Sequence, residues 1–117
     1  MKVLFVEDSE ALIQDVKSFL EAHGFEVSTA TSGEEAKKIF LKELPDIVVT
    51  DIMLEGKISG YELCKWFKNM KKDIPVIIAT SRPPKISRLT AMAAGADDFI
   101  PKPYKPEQLL EKIKKFI

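Results

Sequence analysis

Five polar positions in this chain could do chemistry together: the adjacent acids Glu7 and Asp8, a third acid Asp51, the hydroxyl of Thr80 and the ammonium of Lys102. Three carboxylates brought together repel. Two unit charges about 4 Å apart cost about 4 kcal/mol at an effective dielectric of ~20. Such a cluster needs a cation, a protonated member or a lysine. Carboxylates with a backbone oxygen suit a hard divalent cation, and Mg²⁺ keeps waters beside one or two carboxylates. Zinc has no ligand set here, because the chain offers one cysteine, Cys64, and one distant histidine, His23. A metal held on acids leaves room for a phosphoryl group, whose oxygens it neutralises. Asp51 can then be a nucleophile, since aspartyl phosphates are covalent intermediates. Thr80 can donate a hydrogen bond to a phosphoryl oxygen. Lys102 can pair with Asp51 when that acid is free and with the phosphoryl group when it is not.

Each of these residues lies at or just past the end of a short apolar run. Val3-Leu4-Phe5-Val6 leads into Glu7-Asp8, Ile47-Val48-Val49-Thr50 into Asp51, Val76-Ile77-Ile78-Ala79 into Thr80, and Phe99-Ile100 toward Lys102. Such runs are the buried strands of an α/β protein, whose ligands gather beyond the carboxyl ends. Taken singly, an aspartate is a helix cap and a lysine a solvated charge. Their shared placement at one kind of strand end is what points to a site.

The elements that must carry them follow from period and punctuation. Strands are predicted at 2–7, 25–30, 46–50, 76–79 and 99–100. Ser9 opens a first helix with Leu12, Ile13, Val16, Phe19 and Leu20 on one face, stopped at Gly24. Ser32 with Glu35, and Ser59 with Glu62, have capping-box spacing and open the second and third helices. Ala36, Ile39 and Phe40 carry the second helix, and Leu63, Trp66 and Phe67 point inward from the third. Pro83-Pro84 make a rigid loop before a fourth helix that runs to about Ala94, with Gly95 as its stop. Pro106 starts the last helix, with Leu109, Leu110, Ile113 and Phe116 on one face. Five β-α units without a linker or repeat mean a parallel sheet covered by helices on both sides. Cys64 reads as inert packing and His23 as a surface residue at a helix end.

Composition removes several classes. The 117 residues suit one domain spanning 1–117, and 45% hydrophobic with 31% charged residues is globular rather than disordered. Lysine plus arginine equals aspartate plus glutamate at 18 each, so charge gives no case for nucleic acid or an anionic membrane. No apolar run approaches the ~20 residues of a membrane span. The N-terminal apolar stretch stops at Glu7-Asp8, too soon for a signal peptide. A single cysteine fits a reducing cytoplasm, the expected location.

The residues Val6-Glu7-Asp8, Asp51-Ile52-Met53-Leu54, Gly60-Tyr61-Glu62-Leu63, Thr80, Gly95-Ala96-Asp97-Asp98-Phe99 and Lys102-Pro103-Tyr104 resemble the receiver domain of two-component response regulators. The resemblance covers the whole chain, in order. It implies a doubly wound, flavodoxin-like (βα)5 fold with strand order 2-1-3-4-5. It implies that Glu7 and Asp8 hold Mg²⁺ with Asp51, that the Met53 backbone carbonyl completes the metal site, and that Asp51 accepts the phosphoryl group. Thr80 takes the place of the switch hydroxyl, Phe99 of the switch aromatic and Lys102 of the family's lysine, followed by a Lys-Pro bond usually held in cis. A histidine kinase or phosphotransfer protein is the expected donor. The domain is expected to catalyse only its own phosphorylation and dephosphorylation, and to control an output protein or domain through its last two helices and fifth strand. The outer face there is expected to carry Lys85, Arg88, Tyr104 and Lys105. Neither nucleic acid nor membrane is expected to bind this domain directly.

Three departures bear on mechanism. The family's Asp-x-x-x-Pro-Gly-x-x-Gly becomes Asp51-Ile-Met-Leu-Glu55-Gly56-Lys-Ile-Ser-Gly60, without the proline and one residue longer. Ser81 replaces a commoner alanine, and Phe99 a commoner tyrosine. Met53 cannot orient a water and Arg82 can pair with phosphoryl oxygens, so slow loss of the phosphoryl group is expected. Among other classes, a haloacid-dehalogenase phosphatase needs an aspartate where Met53 stands. A flavodoxin-like FMN carrier needs a phosphate loop where Glu7-Asp8-Ser9-Glu10 would repel one. The remaining alternative is a receiver that is never phosphorylated and acts as a docking module, which the complete set of pocket residues disfavours.

Overall fold

Alternation along the strands splits the core in two. In β1 (Lys2–Val6), Val3 and Phe5 point to one face of the sheet, Leu4 and Val6 to the other. The computed structural model describes residues 1–52, 54, 56, 58–81 and 84–117, the side chains of 84–87 excepted. Along the chain follow α1 (Glu10–Ala22), β2 (Glu26–Ala30), α2 (Gly33–Glu43), β3 (Ile47–Asp51), α3 (Gly60–Met70), β4 (Val76–Thr80), α4 (Pro84–Ala93), β5 (Asp98–Pro101) and α5 (Pro106–Lys114). The strands form one parallel sheet in the order β2-β1-β3-β4-β5. The expected doubly wound fold is therefore the observed one.

One face packs Val3, Phe5, Val49, Ile77 and Ala79 under α1 and α5, which supply Ile13, Val16, Leu20, Leu109 and Ile113. The other packs Leu4, Val6, Val48 and Ile78 under Ala36 and Phe40 of α2, Leu63 and Phe67 of α3, and Ala91 of α4. Both faces of the central strands are covered, which is why those strands read as unbroken apolar runs.

The chain leaves β1 for β2 on one side and returns to β3 on the other. The carboxyl ends of β1 and β3 therefore flank the point where the winding reverses, where ligands bind in such sheets. Register fixes what stands there: Val6 pairs Thr50, Asp51 pairs Ala79, and Thr80 pairs Pro101.

The serine caps form as expected. Ser9, Ser32 and Ser59 Oγ accept the N–H of Leu12, Glu35 and Glu62 at 3.4, 3.2 and 3.2 Å. The Glu35 carboxylate bonds the Thr31 amide at 2.9 Å, one residue before the box position. Gly24 and Gly95 end their helices with φ of +89° and +86°. At the end of α2 the left-handed turn falls on Leu44, φ 50°, immediately before Pro45.

Observed strand ends differ from the sequence-based ones by at most one residue. β5 is the clearest case, running 98–101 rather than 99–100. It lies at the sheet edge, where polar Asp98 and Pro101 are tolerated. Trp66 faces inward as expected but is only half-buried against the core. It sits at the rim of the α3 stripe, edge-on to Phe40 and Phe67, with Lys37 Nζ 5.3 Å from its ring centroid. Cys64 is fully buried, its Sγ 3.5 Å from the Ala94 carbonyl oxygen, and burial pushes its thiol up to about 11.

Candidate phosphoacceptor site

Glu7 ends the pairing of β1 with β2, its amide donating to the Ala30 carbonyl at 2.9 Å. Its side chain turns inward and is 1% exposed. One carboxylate oxygen accepts the amides of Asp8 and Ser9 at 3.0 and 2.9 Å, and the other accepts Lys102 Nζ at 2.8 Å. Asp51, the last residue of β3 and 7% exposed, accepts the same ammonium at 2.7 Å. Lys102 thus bridges two buried acids across the sheet edge. Its pairing with Asp51 follows the sequence-based expectation, and its equally short bond to Glu7 is new.

The electrostatics follow from burial. Desolvation pushes the Glu7 carboxyl above its ordinary value, although the Lys102 and Ser9 hydrogen bonds pull against it. Burial pulls Lys102 down, but its bonds to Asp51 and Glu7 outweigh that and hold it above the usual lysine value. Oxygens of Glu7, Asp8 and Asp51 lie within 4.8 Å of one another, with Asp8 exposed. Three carboxylates against one ammonium leave two negative charges at an open edge. That donor set, all hard oxygen with one acid facing solvent, could hold a divalent metal ion and fits Mg²⁺.

The backbone around Asp51 is tightly held. Thr50 Oγ1 donates to the Asp51 carbonyl oxygen at 3.0 Å, the Ile52 amide bonds Ala79 O at 3.2 Å, and the Gly60 amide bonds Ile52 O at 2.9 Å. A Cβ at Gly60 would run into the Asp51 carbonyl oxygen and would stand 2.7 Å from Ile52 Cα. The start of α3 is therefore pressed onto the acceptor's own backbone. Sequence reading noted Gly60 in a motif and missed this constraint. It also missed Thr50, whose only signal is a hydroxyl in a fully buried strand.

Thr80 is 2% exposed at the end of β4, and its carbonyl accepts the Lys102 amide at 2.7 Å. This ties the hydroxyl-bearing residue to the lysine-bearing loop. The Lys102–Pro103 bond is cis, as the resemblance implied. Phe99 lies mid-strand in β5, half-buried. Arg88 and Lys105 are exposed as expected, but Tyr104 is not on the outer face. Its ring packs on the core under α1 and α5, and its buried hydroxyl has no hydrogen-bond partner among the described residues. Burial, with the charges of Glu7 and Asp51, holds that phenol well above its usual value. Met53, Glu55, Arg82 and Pro83 lie outside the described residues, as does the side chain of Lys85.

A parallel, doubly wound sheet that gathers buried acids and a lysine at its winding-reversal point defines a class of flavodoxin-like α/β modules. The comparisons place the chain within that class. Residues 3–114 match the model of the response regulator receiver domain, and the chain belongs to that family. It is 34% identical over 113 residues to the alkaline phosphatase synthesis transcriptional regulatory protein PhoP of Bacillus subtilis, covering 97% of this chain and 47% of that protein. It is 38% identical over 115 residues to the phosphate regulon transcriptional regulatory protein PhoB of Rhizobium meliloti, covering 97% and 50%. The chain thus spans about half the length of the curated relatives it matches. Among solved structures it resembles the chemotaxis response regulator CheY4 of Vibrio cholerae, with a TM-score of 0.91 at 30% identity over 99% of this chain and 98% of that one. The BeF3-activated receiver domain of Klebsiella pneumoniae RstA gives 0.90 at 29% identity, over 99% and 97%. Receiver domains of response regulators are signalling modules of two-component systems. Among the described residues, no helix is long and apolar enough to cross a membrane.

Proposed function

We propose that the chain, as one receiver domain over 1–117, accepts a phosphoryl group on Asp51 from a histidine kinase or phosphotransfer protein and passes the change to an output partner. The observation that carries this reading is the Lys102 ammonium shared between Asp51 and Glu7 at 2.7 and 2.8 Å. Lys102 holds the Asp51 carboxylate ionised and in place beside two more acids, and stands ready to meet the oxygens of the arriving group. Glu7, Asp8 and Asp51, with the Met53 carbonyl, would hold Mg²⁺, which when bound neutralises the oxygens of the arriving group.

The residues' own parts follow. Asp51 attacks phosphorus, and the bond from phosphorus to the donor nitrogen or oxygen breaks with its electron pair leaving on the donor. Lys102 exchanges its contact with Asp51 for a phosphoryl oxygen. The product carries roughly −1.5 to −2 charge, and Thr80 turns its hydroxyl toward it. The space Thr80 leaves is filled by Phe99, so the change reaches α4, β5 and α5. Two relatives that the chain half spans are named as transcriptional regulators, so an output in gene control is the first to test.

The test is incubation with acetyl phosphate and Mg²⁺, read by intact mass. A gain of one phosphoryl group by the native chain and none by Asp51→Asn supports the reading. An unmodified native chain would put the unphosphorylated docking module ahead.

A further inference from the structure

We infer that Arg88 and Lys112 are positioning residues for the switch ring, holding Phe99 outward in the unphosphorylated domain. This rests on the receiver reading above.

Phe99, half-buried against the core, also lines an open groove of about 570 Å³ between α4 and α5, together with Arg88, Met92, Ala96, Pro101 and Lys112. The guanidinium carbon of Arg88, on α4, stands 5.9 Å from the ring centroid. Lys112 Nζ, on α5, stands 5.8 Å from it. Both fall within the roughly 6 Å over which a cation is drawn to an aromatic quadrupole. Lys112 is also aimed at this place: its ammonium meets Asp98 Oδ1 at 3.3 Å, and that oxygen accepts the Phe99 amide at 2.8 Å. The cation is thereby referenced to the backbone of the ring it faces. Among the described residues Arg88 has no carboxylate partner, and its guanidinium stands by the ring.

A phenyl ring left half in water forgoes burial that an inward position would give. Cations on two helices offset part of that loss only while the ring stays within reach of them. Moving inward takes it away from both. Each contact therefore weights the outward state by a factor of about two to five, as exposed cation–aromatic pairs do. Occupation of Asp51 and an inward ring favour each other, so whatever favours the outward ring opposes occupation by the same factor. The two cations act as a threshold: they keep basal switching low without touching the chemistry.

The variants are Arg88→Met, Lys112→Met and the pair, with Arg88→Lys and Lys112→Arg as charge-keeping controls, each also made with Phe99→Leu. Two quantities are read. One is the nuclear Overhauser contact between the Phe99 ring and the Thr80 methyl in the unmodified protein. The other is the affinity for beryllofluoride in Mg²⁺ by calorimetry. The double Met variant should strengthen the ring contact and bind beryllofluoride on the order of tenfold more tightly. The charge-keeping variants should match the native chain. With Phe99→Leu in place, loss of the cations should change affinity by less than about twofold. An unmoved ring in the double variant overturns the inference, as does an equal affinity change without the ring. Failure of the native chain to bind beryllofluoride would instead count against the receiver reading, and the ring contact would still decide the clamp.

Discussion

Lys102 and Phe99 stand three residues apart at one edge of the sheet, yet they are held in opposite ways. Lys102 is pinned by two buried carboxylates at 2.7 and 2.8 Å. Phe99 lies half-buried against the core, with two cations 5.8 and 5.9 Å from its ring centroid. The first arrangement has full charges in short contact and one geometry. The second has weak, long contacts and, on the proposed switch, an alternative position. Phosphoryl transfer needs reacting groups placed before the donor arrives, whereas a switch needs two states separated by only a few kcal/mol. On the proposed function a single short segment serves both needs, because its end turns into the acidic edge while its middle faces the gap between α4 and α5.

The comparison can be broken at the rigid end first. Gly60→Ala should have the largest effect, because the new methyl would meet the Asp51 backbone. A loss of about 3 kcal/mol or more is expected, measured by denaturant unfolding. A change below about 1 kcal/mol would show that the start of α3 is less fixed than its hydrogen bonds imply.

Lys102→Met should follow. It leaves buried Glu7 and Asp51 facing each other uncompensated, which costs roughly 3–5 kcal/mol for a fully buried pair. Because the Lys102 side chain is 23% exposed, a loss on the order of 2–3 kcal/mol is expected, partly restored by millimolar Mg²⁺. Equal destabilisation with and without Mg²⁺ would contradict the assignment of these acids to a metal.

Thr80→Ala sharpens the contrast. Phosphorylation by acetyl phosphate should stay within about threefold of native, while the Phe99 ring contacts stop responding to it. A ring that still moves in this variant would remove Thr80 from the route.

The smallest effect concerns Cys64, which belongs to neither region and sets a baseline. Its thiol is pushed to about 11 in the folded chain against 9.0 as the ordinary value. Between those values the unfolded chain has released the proton and the folded chain has kept it. Stability should therefore fall as pH rises through that window, and the native thiol should resist alkylation at neutral pH. Rapid alkylation without unfolding would mean α3 opens easily.

Much of the site was legible because each pocket residue sits where a buried aliphatic run ends. Strand period and helix caps locate those ends without tertiary information. Asp51, Thr80 and Lys102 stand at their strand ends for that reason. The Glu7–Lys102 bond was not legible. It depends on β1 and β3 being neighbours and on a four-carbon stem long enough to reach both acids. Tyr104 was misplaced because it lies on the path between β5 and α5, where no helical or strand period assigns a direction. Trp66 was placed on the right side but not at the right depth, because spacing from Leu63 puts it on the apolar side of α3 but cannot tell the centre of the stripe from its rim. The constraint at Gly60 arises from contact between the start of α3 and the end of β3, which no local pattern records.

The central claim is that Asp51, among the clustered acids, carries the phosphoryl group. Borohydride reduction of the acetyl phosphate-treated protein converts an aspartyl phosphate to homoserine, and peptide mass mapping then locates it. The account predicts homoserine at position 51 alone, dependent on Mg²⁺ and absent from Asp51→Asn. Reduction at Glu7 or Asp8, or modification that persists in Asp51→Asn, would contradict it.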